Sequence, residues 1–200
     1  MESLSESSTM SVQPQDSATV NRLITDLQSS DDTVRGAAWQ SAAPLGALAV
    51  KPLVQLMTHQ DFEIARAAKR ALWKIVRHAG RPRAARERKA VQTELVSSLK
   101  SPPVPVCREV IWMLSEIGDS ATVEPLTALL VNVGVREDAR CALERIPTSK
   151  ATRALDKSLK NLPEDFRPAL ANSLRVRGRK IKSYPGQKLV PVKSTTVGNK

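Results

Sequence analysis

The residue types that most often carry chemistry are sparse in this chain of 200 residues. It has two histidines, His59 and His78, and two cysteines, Cys107 and Cys141. Metal sites need such residues in close, regular pairs, and neither type is spaced that way. The chain also lacks a phosphate-cradling P-loop and the GxSxG elbow of a serine hydrolase. Cys107 lacks an evident base and is better explained as filling a structural position. The acidic pairs Asp31 with Asp32 and Glu164 with Asp165 stand where helices should begin, and read as caps. This inventory gives catalysis little support and implies neither a metal nor a cofactor.

What the chain does carry is concentrated positive charge. Its net charge is +11, yet residues 1–18 contribute −3 and most of the remainder is also slightly acidic. The excess comes from two segments: Arg66 to Lys89, at +9, and Arg175 to Lys200, at +8. At roughly 100° per residue, Arg66, Lys69, Arg70, Lys74 and Arg77 share one face of a helix, with Trp73 among them. Arg81, Arg83, Arg86, Arg88 and Lys89 follow around Gly80 and Pro82. These eleven residues form the candidate partner-binding or polyanion-binding set. An indole among cations can stack on a base or hold a guanidinium. It can equally cover a neighbouring helix, with basic stems packed beside it.

The elements that must position these residues are legible from an apolar period. Four residues recur at spacings of four, four and three: Val34, Ala38, Ala42 and Leu45; Ile64, Ala68, Leu72 and Ile75; Val106, Val110, Leu114 and Ile117; Val135, Ala139, Leu143 and Ile146. Phe166, Leu170 and Leu174 make a weaker fifth copy. Each set falls on one helical face, and each follows another stripe, such as Val20, Leu23, Ile24 and Leu27 or Val123, Leu126 and Leu130. With only six aromatics among 200 residues, helix is favoured over a β-sandwich. The expected class is all-α, an α-solenoid of about five helical hairpins that stack because none can bury its stripe alone.

The period breaks once. Successive sets begin 30, 42, 29 and 31 residues apart, so about eleven extra residues lie between the second and third hairpins. They coincide with the basic segment near 77–89. An insertion of this kind maps to a loop on one face, often a binding face, or simply extends the following helix.

Segments such as DDTVRGAAWQSAAPLG, PVCREVIWMLSEIG and GVREDARCALERIP resemble the second helix of HEAT-like repeats of the phycobilisome-lyase type. The resemblance covers about residues 19–177. It implies an Arg just after the first apolar residue, paired with an Asp at a repeat junction; Arg35, Arg136 and Arg167 fit, whereas Arg66 and Arg108 lie one step later. Such repeats serve scaffolds, nucleic-acid binders and a few enzymes, including alkylpurine DNA glycosylases and bilin lyases. The His-Glu pairs of HEAT-repeat di-iron hydroxylases are missing here.

The ends read as unstructured: residues 1–18, and the basic stretch 178–200 with its Gly and Pro. Residues 1–18 carry no basic n-region or apolar run of a secretory signal. The longest near-apolar stretch, about 125–135, is too short to cross a bilayer. Two thiols without a disulfide pattern suggest the cytoplasm. The expected function is a non-enzymatic scaffold for a protein partner, acidic by charge complementarity, with DNA or RNA binding as the alternative and no membrane role. The oligomeric state is open.

Overall fold

The computed structural model describes residues 14–100 and 102–186, and the chain is all-α there. The ten α-helices among the described residues are α1 (Pro14–Leu27), α2 (Asp32–Ser41), α3 (Val50–Leu56), α4 (Phe62–Ala79), α5 (Ala85–Ser97), α6 (Val104–Ile117), α7 (Val123–Ala128), α8 (Arg136–Arg145), α9 (Ser149–Asn161) and α10 (Arg167–Val176). Among the described residues there is no strand, and no helix is long and apolar enough to cross a membrane. Consecutive helices pair as hairpins. The second helices α2, α4, α6, α8 and α10 form one layer, each packed on the next. The first helices lie on the other side, with α1 against α3, α3 against α5 and α7 against α9.

The stacking follows from the apolar sets. Ile64, Ala68, Leu72 and Ile75 are buried, as are the sets beginning at Val106, Val135 and Phe166, and all belong to one core that runs from Val20 to Leu174. The first set is less complete. Val34 stays 38% exposed because no hairpin precedes it among the described residues, and Leu45 is only partly buried. Leu45 also lies beyond its helix: α2 ends at Ser41 and a 3-10 stretch, Ala43–Ala49, follows. Pro44 has no N–H to continue the α-helical ladder. Gly46, at φ 53 and ψ −137, then turns the chain through a conformation that L side chains avoid.

Caps fix the helix starts. Asp31 accepts from Thr33 N at 2.7 Å, Asp61 from Glu63 N and Ile64 N, and Thr148 from Ala151 N. Proline sits in the first turn of α6 and α10, where its missing N–H costs nothing. Asp32 and Asp165 do other work, as partners of Arg35 and Arg136.

Two boundaries differ from the expectation. Helix α1 begins at Pro14 rather than near residue 19, and residues 178–186 are held on the body by hydrogen bonds from Arg175 to the carbonyls of Ser183 (2.9 Å) and Tyr184. The rest of both ends, and Ser101, lie outside the described residues. The extra residues of the long interval are mostly helical. They extend α4 to Ala79 and start α5 at Ala85, leaving only residues 80–84 as a turn.

Candidate functional site

Helix α4 positions the first half of the basic set, and it divides that set between two seams. Toward α6, Lys69 Nζ lies 3.1 Å from one oxygen of Glu109, and Trp73 donates its indole N–H to the other at 3.2 Å. Arg77 sits over the Trp73 ring, 5.4 Å from its centroid. Toward α2, Arg70 and Lys74 both lie 5.5 Å from the centroid of Trp39. Arg66 pairs with Glu63 at 2.5 Å on its own helix and lies over Phe62. Each indole therefore covers a junction between hairpins, and the long basic stems pack on it.

The same construction recurs between α6 and α8. Trp112 donates its indole N–H to Asp138 at 2.9 Å, Arg108 pairs with Asp138 at 3.3 Å, and Arg145 lies over the Trp112 ring. Glu109 and Asp138 both stand three residues after the first apolar residue of their set, Val106 and Val135. The sequence reading missed this acid, although aligning the sets shows it. Arg136 pairs with Asp165 of the next hairpin at 2.8 Å, in the implied junction ladder. Arg35 instead turns back to Asp32 and to Ser29 O within its own hairpin, and Arg167 donates to Leu162 O. Arg108, one step out of register, still reaches across its junction.

In the turn after α4, Arg81 donates to His78 O at 2.7 Å and grips Glu87 through both oxygens, at 2.6 and 2.7 Å. That bidentate bond holds the Glu87 carboxyl below its ordinary range and the Arg81 guanidinium above its own. The clamp keeps residues 80–84 tight, with Arg83 at φ 67. Beyond it, Arg83, Arg86 and Lys89 are exposed and Arg88 is half-buried. Among the described residues, none of these four has a carboxylate within 4.0 Å, nor do Arg70, Lys74 and Arg77. The described part of the second basic segment does not join them. Helix α10 packs on α8 and α9, three hairpins along from α4.

The groups with nucleophilic potential are held passive. Burial pushes both the Cys107 and Cys141 thiols up, which keeps them protonated near neutrality. His59 Nδ1 accepts from the backbone N of Asp61, and His78 lies 3.7 Å from Glu87. Among the described residues, no three His, Cys, Asp or Glu side chains are placed to hold a metal ion.

Comparison with known proteins identifies no family: no family model and no curated protein matches the chain. Two solved structures, both described as engineered proteins, are similar to it at 23% identity. One aligns over 82% of this chain and 81% of its own, with a TM-score of 0.41. The other aligns over 82% and 49%, at 0.40.

Proposed function

We propose that this chain is a non-catalytic, HEAT-like scaffold that binds an acidic protein segment through the basic surface of α4 and α5. The observation that carries the reading is the set of cations without internal carboxylates: Arg70, Lys74, Arg77, Arg83, Arg86, Arg88 and Lys89. Elsewhere in the same layer Arg35, Arg108, Arg136, Arg140 and Arg145 are paired with carboxylates, and Arg167 and Arg175 are turned to backbone carbonyls. Like charges gathered on one surface repel one another, so an acidic partner gains attraction there and relieves that repulsion. Nucleic acid is less well served. The faces of Trp39 and Trp73 are already engaged by cations, which leaves neither as an open stacking platform.

The test is fluorescence anisotropy with a labelled oligoglutamate peptide and, in parallel, a single-stranded oligonucleotide. Binding of the peptide should weaken steeply with salt. Replacing Arg83, Arg86 and Lys89 with Gln should lower it without shifting the melting temperature, since all three are exposed. Arg81 is left in place because it holds the turn. Absence of peptide binding at low salt, or binding unchanged by the three substitutions, rejects the reading.

A further inference from the structure

Four seams join the second helices, and the first one lacks a part that the next two possess. Between α4 and α6, Glu109 takes the Trp73 N–H and pairs with Lys69; between α6 and α8, Asp138 takes the Trp112 N–H and pairs with Arg108. The corresponding position on α4, three residues after Ile64, is Ala67. No acid stands there for Trp39, whose indole N–H has no acceptor among the described residues. Arg70 and Lys74 instead face its ring. The last seam also has an alanine at this position, Ala169. There, however, Arg140 is met by Glu137, Glu144 and the Ser173 hydroxyl, so nothing is wanting.

Where the acid is absent the seam is open. A cleft of about 330 Å³ lies between α2 and α4, with Trp39, Arg35, Arg66 and Arg70 on its walls, Ala67 among its lining, and the carboxylates of Asp32 and Glu63 also bordering it. Arg35 and Arg66 are paired with Asp32 and Glu63, which leaves Arg70 as the cation with no carboxylate. Gly36 borders the same space. It lies inside α2, where glycine is about 1 kcal/mol poorer than alanine. Its backbone is not left-handed, and a Cβ added there would meet nothing within 4 Å. Neither conformation nor internal packing requires a glycine at this position. The space beside Gly36 is therefore open, and a larger side chain at this position would enter it.

We infer that the α2–α4 cleft receives a carboxylate side chain of the acidic partner segment, seated between Trp39 and Arg70 in the place that Glu109 and Asp138 fill at the next two seams. This deepens the proposed function and rests on it. The ligand is a Glu or Asp side chain on an extended protein segment, and the remaining cations of α4 and α5 attract the acidic residues beside it. The recognition is charge-assisted hydrogen bonding to Arg70 and to the Trp39 N–H, with the ring wall excluding water.

The test uses the full chain, the oligoglutamate peptide, and the three indole N–H resonances in a 15N-correlated NMR spectrum, assigned with Trp→Phe variants. On titration the Trp39 resonance should move, while those of Trp73 and Trp112, already bonded to Glu109 and Asp138, should stay. Gly36→Phe should fill the cleft and weaken binding about tenfold or more, the loss of one charge-assisted hydrogen bond. Gly36→Ala should bind as the native chain does. Ala67→Glu supplies the missing acid internally; it should weaken binding at least as much as Gly36→Phe and place the free Trp39 resonance near its bound position. If Gly36→Phe binds normally while the Arg83, Arg86 and Lys89 substitutions still reduce binding, the cleft is wrong and the basic surface stands. Failure of the native chain to bind the peptide sinks both. A Trp39 shift produced by the oligonucleotide and not by oligoglutamate overturns the assignment of the occupant to protein.

Discussion

Trp73 on α4 gives its indole N–H to Glu109 on α6, 3.2 Å away, so the most conspicuous aromatic of the basic helix is a fastener between hairpins. This fixes what its removal should do. Trp73→Ala should lower stability by about 2 to 4 kcal/mol, somewhat less than a fully buried aromatic because the ring is half-buried. The salt dependence of partner binding should be unchanged. Glu109→Gln should lower stability less, since an amide oxygen can still accept from the indole. Chemical denaturation beside a salt titration checks both. A Trp73 variant of native stability and reduced affinity would return this residue to the binding surface.

Two glycines in the same layer should respond in opposite directions. A Cβ on Gly118, just after α6, would strike Leu114 O and approach Thr122 Oγ1 to 2.7 Å and Ile146 Cδ1 to 2.9 Å, two of the three contacts with backbone or a neighbouring hairpin's core. Gly118→Ala should therefore destabilise by about 1 to 3 kcal/mol through overpacking. Gly36→Ala meets nothing within 4 Å and restores helix propensity, so it should stabilise by up to about 1 kcal/mol. Paired denaturation midpoints decide the matter. A destabilised Gly36→Ala would mean that the glycine serves the fold.

The fold was legible because its cause is periodic. Ile64, Ala68, Leu72 and Ile75 repeat a spacing that only a helix places on one face, and burying that face requires a neighbour. Val34 and Leu45 show the limit: spacing cannot say that a terminal set has no cover, and Pro44 with Gly46 overrules the helix. The basic set was legible as charge but not as geometry. Whether Arg70 faces solvent or Trp39, and whether Lys69 has a partner, depends on helix-to-helix register, which a single helical projection does not contain. Arg81 illustrates the point, since its role is set by Glu87, six residues on and around a turn. The long interval was legible as extra length, yet length alone does not divide residues between a loop and two longer helices.

The Arg136–Asp165 pair should confer a pH-dependent stability. The hydrogen bond and charge of Arg136 hold the Asp165 carboxyl below its ordinary 3.8. A carboxylate whose pKa is lower folded than unfolded adds stability above the unfolded value, and loses it as pH falls through the folded one. The native chain should therefore melt above Asp165→Asn from neutral pH down to about 4, with the difference closing below that and vanishing once both states are protonated. Both partners sit at a junction, with Arg136 also 4.6 Å from the centroid of the Phe166 ring. Melting curves of the two proteins across this range check it. A difference that persists at the acid end would mean that Asp165 contributes through shape and not charge.

Among the described residues, Arg177, at the end of α10, makes the most side-chain hydrogen bonds to other elements. Helix α8 ends with carbonyls that have no intrahelical donor, and a guanidinium from two helices later meets them. Nη1 donates to Leu143 O at 3.1 Å, Glu144 O at 2.6 Å and Ile146 O at 2.8 Å, and Nη2 donates to Thr148 O at 2.7 Å. Nε binds Thr152 Oγ1 at 2.9 Å, so one side chain ties the end of α8 to the start of α9 and the end of α10. Its burial draws the guanidinium pKa below its ordinary value, against the pull of Glu144, yet arginine remains charged. Removing it leaves the carbonyls of Leu143 and Glu144 without a donor, while those of Ile146 and Thr148 keep the backbone N–H groups of Thr148 and Thr152, and Arg177→Ala should cost about 2 to 4 kcal/mol. Arg177→Lys should recover only part of that. An ammonium has three donors on one atom and cannot span five acceptors arranged around a planar fork. Truncation after Arg175 should cost at least as much as Arg177→Ala, whereas truncation after Gly186 keeps the fork and its acceptors and should cost little. Equal stability of the two truncated chains would show that the fork is an ornament of the last hairpin and does not hold it.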